Sequence, residues 1–229
     1  MWVRPLFHDR IEAGQMLARK LKCQAFDPKP LVLALPRGGV PVAFQIARIL
    51  QADLDIFLVR KIGVPGQEEL AMGAIASGGT GVVNRPMIAQ LGITTAEVER
   101  VMVHERHEIQ RRERIYREGR PALSIRGRTV ILVDDGLATG ASMLAAVQAV
   151  RGQQPGRIII AVPVAPAGGC EQFRRHREGG NDANDANHVI CLHTPEPFYS
   201  VGVWYEDFSQ TSDADVQKLL REAAREPVA

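Results

Sequence analysis

The 229-residue chain predicts an α/β fold, a parallel sheet flanked by helices, and three observations carry that expectation. Short, continuously apolar runs recur (LVLALP at 31–36, TVILV at 129–133, RIIIAVPV at 157–164), as in strands buried on both faces. Runs of helix length separate them, so each strand returns by a crossover to a parallel partner. Gly- and Pro-containing turns close the carboxyl ends of the strands, where ligands bind in sheets of this kind.

In chain order, Asp9 to Lys22 reads as an amphipathic helix, with apolar residues at Ile11, Met16, Leu17 and Leu21. Residues 31–36 form a buried strand ended by Pro-Arg-Gly-Gly, and 40–50 follow as a helix. A second strand spans 55–62 (DIFLVRKI). Residues 63–81 hold six glycines and read as a mobile loop or a β-flap. Thr95 to Glu118 is charged and unbroken by Gly or Pro. It predicts a long helix with Val98, Met102, Ile109 and Tyr116 as its buried stripe and charge pairs on its wet face. Strand 129–133, helix 141–151, strand 157–164, a helix near 167–178 and strand 188–193 complete the pattern, and 213–226 form a last helix. The segment GGNDANDAN (179–187) lacks the spacing and closing Glu of a calcium loop and reads as a solvated turn.

The length suits one domain, or one domain with a small appendage, and can bury a real core. A net charge of +2 gives no reason to expect nucleic acid or a membrane surface as partner. No apolar run is long enough to span a bilayer, and the N-terminus has no signal-peptide core, so a cytoplasmic location is expected. Cys23, Cys170 and Cys191 stand far apart, with no metal-ligand spacing and no disulfide framework, and read as buried thiols.

The chemistry concentrates in VILVDDGLATGAS (130–142). Four apolar residues run into Asp134 and Asp135 at the carboxyl end of a strand, and the turn from Gly136 leads into a helix. Glycine lets backbone amides approach a ligand, Thr139 and Ser142 add hydroxyls, and the helix dipole favours an anion. A phosphate therefore belongs at 138–142. The two carboxylates cannot be phosphate ligands and suit hydroxyl donors, a metal or a developing positive charge. A ribose 5-phosphate meets both demands. One aspartate alone would read as a helix cap. The turn is neither a Walker A loop nor a dinucleotide fingerprint, which leaves a nucleotide-dependent oxidoreductase without its motif.

This stretch resembles the phosphoribosyl pyrophosphate (PRPP) signature of the type I phosphoribosyltransferases. LPRGGVPVA (35–43) resembles their pyrophosphate loop, and FLVRKIGVPG (57–66) resembles a segment of the adenine enzymes. TPEPFYSVGVWYEDFSQTSD (194–213) resembles the hood of a bacterial subgroup, some of whose members are fused to hydrolase domains. The resemblance implies one domain over 1–229, with a core at about 31–193, a hood from the N-terminal segment and about 194–213, and a lid at about 63–81.

It also implies roles. Asp134 and Asp135 would hold the ribose hydroxyls. Gly136 and the run Ala138, Thr139, Gly140, Ala141 and Ser142 would wrap the 5-phosphate. Arg37, Gly38 and Gly39 would bind pyrophosphate, often with a cis peptide in that loop, and Arg60 and Lys61 would add positive charge. Magnesium would be held mainly by PRPP itself, near Asp134 and Asp135. A homodimer is expected by resemblance only.

Phe198, Trp204 and Tyr205 belong to an aromatic group that reads either as a hydrophobic cluster closing the domain or as a platform for a flat acceptor. VGVWYEDF (201–208) is loosely similar to the segment that holds the base in 6-oxopurine phosphoribosyltransferases, which implies Phe198 stacked on the acceptor and Glu206 or Asp207 at its polar edge. The 6-oxopurine enzymes carry an acid inside the phosphate turn. Ala138 stands there, as in adenine enzymes, which leaves the acceptor and the general base open among Glu68, Glu69 and Glu206. Arg37 alone could be a turn arginine, and Lys61 a solvated strand end. The expected activity is transfer of ribose 5-phosphate from PRPP to a small nitrogenous acceptor. The alternative is a PRPP sensor without turnover, which would need neither a leaving-group clamp nor a lid.

Overall fold

A computed structural model describes residues 4–26, 28–175 and 188–225. The chain runs α1 (Arg10–Lys22), β1 (Leu31–Ala34), α2 (Gly39–Leu50), β2 (Asp53–Ile56), β3 (Val59–Val64), β4 (Gln67–Ala76) and β5 (Gly81–Val83). It continues through α3 (Arg85–Gln90), α4 (Thr95–Arg117), β6 (Thr129–Val133), α5 (Ala141–Arg151) and β7 (Arg157–Val164). It ends with α6 (Glu171–Arg175), β8 (His188–His193), a 3-10 turn at Gly202–Trp204 and α7 (Asp213–Arg225).

Five strands form a wholly parallel sheet in the order β2-β1-β6-β7-β8. Alternate side chains of each strand feed two separate cores. Val32, Ala34, Ile131 and Val133 pack with α1, α2, α4 and α7. Leu31, Leu33, Val130 and Leu132 pack with α5 and with Phe173 of α6. Both faces are covered, which is why these strands are apolar at every position.

The strand order places the switch point between β1 and β6. The chain leaves β1 toward one edge and later returns to β1's other side, so the loops after these two strands diverge over a crevice. In register, Leu31 lies opposite Val130 and Ala34 opposite Val133, so both strands end level.

The single strand expected at 55–62 is two strands in different sheets. The Phe57 amide still donates to the Ala34 carbonyl, but Leu58 exchanges backbone and hydroxyl hydrogen bonds with Ser77 and turns the chain out of the parallel ladder. The apolar run continues across the corner, so hydropathy does not mark it. Of the two readings of 63–81, the structure has the β-flap: β3, β4 and β5 form an antiparallel sheet. Its base is buried at Ile62, Met72 and Ile75, and its tip from Pro65 to Leu70 is exposed.

Helix α4 runs as expected, opened by a capping box between Thr94 and Glu97. Val98, Ile109 and Tyr116 are buried, while Met102 is only partly covered. In α1, Ile11 is exposed, and the buried stripe is Ala13, Gly14, Leu17, Ala18 and Leu21. Gly14 lies so close to α2 that an added Cβ would come within 2.7 Å of the Val42 carbonyl.

The three thiols are a correction. Cys23 is exposed, and Cys170 and Cys191 are joined by a disulfide with Cα atoms 6.9 Å apart. The partners are 21 residues apart in sequence and meet because α6 packs on β8. The polar turn 179–187 and the end of the expected 167–178 helix lie outside the described residues.

Candidate active site at the β1–β6 switch point

The two glycine-containing loops singled out by their composition meet here. Asp134 and Asp135 follow the last residue of β6, and Gly38 and Gly39 follow β1 and open α2. A Cβ on Gly38 would collide with the Asp135 carboxylate. One on Gly39 would lie 2.8 Å from the Val133 carbonyl and 3.0 Å from the Asp134 Cα. Only glycine lets the loops approach this closely. The Pro36–Arg37 peptide is cis, as the resemblance implied.

Beyond the aspartates, Gly136 and Leu137 are buried, whereas Ala138, Thr139, Ala141 and Ser142 are exposed. Gly140 caps α5 with a φ of 76° and no side-chain hydrogen bond. The left-handed backbone demands glycine, and the adjoining helix terminus has the polarity to receive an anion. An added Cβ at Gly140 would also strike Gln172, whose amide nitrogen lies 2.5 Å away.

The aspartates are side by side but not alike. The Asp135 amide donates to Asp134 Oδ1 at 2.9 Å. Burial, and then the charge of Asp135, push the Asp134 carboxyl well above the usual carboxylate range. Asp135 is also raised by burial, but the Arg10 guanidinium opposes that, with Nε donating to Oδ2 at 2.9 Å. The Tyr205 hydroxyl donates to the Asp135 carbonyl at 2.6 Å. Burial raises the Tyr205 hydroxyl far above its ordinary value, so it stays a donor.

The basic residues divide. Arg37 is partly exposed and lies 3.7 Å from Asp213 at the start of α7. Lys61 is exposed on β3, while its neighbour Arg60 turns to the opposite face and pairs with Glu105 of α4. Arg60 thereby ties the base of the flap to α4.

The aromatic group divides in the same way. Trp204 and Tyr205 are buried with Phe7 and Val164, as a cluster closing the domain. Phe198 is half-buried and stacks on Trp204, with ring centroids 6.3 Å apart. Glu206 is exposed and paired with His8, and Asp207 accepts from the Ser209 amide. Arg10 and the Tyr205 hydroxyl's bond to Asp135 escape sequence reasoning. The available signal was a cation at the first position of a helix, where the dipole disfavours it.

Among the described residues no group of three or more His, Cys, Asp or Glu is arranged to hold a metal ion. No helix among them is long and apolar enough to cross a membrane. A cavity of about 660 Å³ lies elsewhere, at the amino-terminal end of β2, lined by Phe44, Arg48, Asp55, Arg117 and Leu220.

Two phosphate-type loops flanking an acidic pair at a switch point define a class, and comparison with known proteins gives the same one. Residues 8–189 match the phosphoribosyl transferase domain family, and the chain belongs to it. Two relatives in Mycobacterium tuberculosis, strains CDC 1551 and H37Rv, each carry the name "Putative phosphoribosyl transferase". They are 42% identical over 221 residues, which cover 96% of this chain and 48% of theirs. The chain thus spans about half the length of these relatives. The crystal structure of TT1426 from Thermus thermophilus is similar throughout, with 39% identity and a TM-score of 0.80 over 94% of this chain and 98% of that one. The α/β fold, a parallel five-strand sheet flanked by helices, is the one shared with TT1426.

Proposed function

We propose that the protein transfers ribose 5-phosphate from PRPP to a small nitrogenous acceptor, with a nucleobase as the favoured class, and releases pyrophosphate. The observation that carries this reading is the contact of Gly38 and Gly39 with Asp135 and Asp134. It sets a loop suited to pyrophosphate beside a turn suited to ribose 5-phosphate, so that one ligand can span both.

The free edges of Asp134 and Asp135 would accept the ribose hydroxyls. The turn from Gly136 through Ala138, Thr139, Gly140, Ala141 and Ser142 would receive the 5-phosphate through amides and hydroxyls. The amides of Arg37, Gly38 and Gly39 would face the pyrophosphate. Departure of pyrophosphate from C1 leaves oxocarbenium character on the sugar, which the acidic pair stabilises by proximity. Lys61 would meet charge gathering on the leaving group when the flap 63–81 folds down and excludes water.

Magnesium, when bound, would neutralise pyrophosphate. The oxygen donors of Asp134 and Asp135 fit a hard cation that takes its remaining ligands from PRPP and water. In this reading the whole chain is one unit: core, lid, and a hood of the N-terminal segment with 194–213. Phe198 would meet a flat acceptor, with Glu206 and Asp207 at the rim and Trp204 and Tyr205 supporting it. A cytoplasmic homodimer completes the proposal.

The test is pyrophosphate release from PRPP and magnesium with a panel of purines, pyrimidines and other nitrogen heterocycles. Release that depends on one acceptor is the expected result. Tight PRPP binding without release from any acceptor would replace the transferase by a PRPP sensor.

A further inference from the structure

Arg10 is the first residue of α1, at the end of a helix where a cation is electrostatically disfavoured. Its side chain is nonetheless nearly buried, with 11% exposure, and its guanidinium is engaged from three directions. Nε donates to Asp135 Oδ2 at 2.9 Å, and Nη1 donates to the Ser209 carbonyl at 2.7 Å. The guanidinium carbon lies 3.9 Å from the centroid of the Phe208 ring. Such a fork, held by a carboxylate, a carbonyl and an aromatic face, has one orientation. Asp135 is fixed from the other side by Gly38 packed on its carboxylate and by the Tyr205 hydroxyl on its carbonyl.

The contacts of Arg10 come from two places far apart in sequence. Ser209 and Phe208 follow the 3-10 turn at Gly202–Trp204, and Asp135 follows β6. Arg10 is a polar link between them.

We infer that Arg10 is a positioning residue for sugar recognition: it holds the Asp135 carboxylate with Oδ1 turned to the ribose hydroxyls, and it makes that orientation depend on a docked 204–209 segment. This rests on the PRPP reading above. Arg10 touches no reacting atom and acts through Asp135. Its loss would free the carboxylate to rotate and leave a buried anion short of its partner.

The test compares three ligands by titration calorimetry in the presence of magnesium: PRPP, ribose 5-phosphate and inorganic pyrophosphate. Arg10→Gln is expected to weaken PRPP and ribose 5-phosphate by about 10- to 100-fold and to leave pyrophosphate within about twofold, because pyrophosphate has no sugar. Arg10→Lys keeps the charge without the fork and is expected to fall between wild type and Arg10→Gln. This variant also keeps the test usable if Arg10→Gln does not fold.

Equal losses for all three ligands would make Arg10 a merely structural residue and overturn the inference. Unchanged or tighter PRPP binding would overturn it too, the latter making Arg10 a plug over Asp135. Failure of the wild-type protein to bind PRPP at all would overturn the PRPP reading itself, and the inference with it.

Discussion

At the end of β6, Asp135 is held by an arginine, a tyrosine hydroxyl and the backbone of a neighbouring loop, all within a hydrogen bond or a van der Waals radius. At the flap tip, Gln67, Glu68, Glu69 and Leu70 are all exposed, and a Cβ added to Gly66 would meet nothing within 4 Å. Both regions are rich in glycine and acid, and composition alone would treat them alike. The glycines do opposite things. Gly38 and Gly39 remove bulk so that two loops can touch, whereas Gly66 lets a hairpin reverse in open solvent. In the proposed reading, a fixed site for a small sugar needs the first kind of construction. A lid of the proposed kind needs the second, with little buried surface to hold it down.

The sharpest way to break this contrast is at the fixed end. Asp134→Asn with Asp135→Asn is expected to reduce PRPP affinity by more than about 100-fold, because two sugar contacts lose their charge together, while the circular dichroism spectrum and cooperative melt persist. Unchanged affinity by calorimetry would remove the acidic pair from the site.

The flap offers a second test within one strand. Lys61→Ala is expected to lower turnover by about 10- to 100-fold with little change in PRPP affinity if the lysine meets charge that develops only as pyrophosphate leaves. Arg60→Ala should leave turnover near wild type and loosen the flap, since Arg60 is occupied by Glu105. A reversal of the two effects would mean that the faces of β3 have been assigned the wrong way round.

The smallest effect concerns stability. The Asp134 carboxyl is raised in the folded protein by burial and by Asp135, so in the folded state it keeps its proton to higher pH than in the unfolded chain. Stability should then fall as pH rises from the ordinary carboxylate range through the raised one. Asp134→Asn retains an acceptor for the Asp135 amide but carries no charge. It should raise Tm by about 2–4 °C near neutral pH and by little at acid pH. A variant that melts lower than wild type at every pH would contradict the stated cause.

Much of this was legible in the linear chain where a residue's surroundings are local. The parallel strands announced themselves as unbroken apolar runs, and the turn at 136–142 by its glycines and hydroxyls. What escaped was decided by distant chain. Nothing in DIFLVRKI says that Phe57 belongs to one sheet and Val59 to another, because both sheets want the same residues. Arg60 and Lys61 look interchangeable until α4 supplies Glu105 to one of them. Trp204 and Tyr205 could face a ligand or a core, and only the packing of Phe7 and Val164 decides. Arg10 carried a faint local signal, its unfavourable place at the head of a helix, but its partner lies 125 residues away.

The segment around Phe7 runs beside the one around Tyr205 as a short parallel bridge, with Phe7 and Leu6 donating to Trp204, and Glu206 and Asp207 donating back to Phe7 and His8. The partners His8 and Glu206 are 198 residues apart. On the ribosome, one half of this bridge is therefore made well before the other and has to wait for it. The parallel sheet can assemble around β1 and β6 while the acidic pair is still uncovered, and the molecule gains its roof only once residues 204–209 have emerged. Ligand competence in a nascent chain should arrive late and abruptly, after the sheet and not along with it.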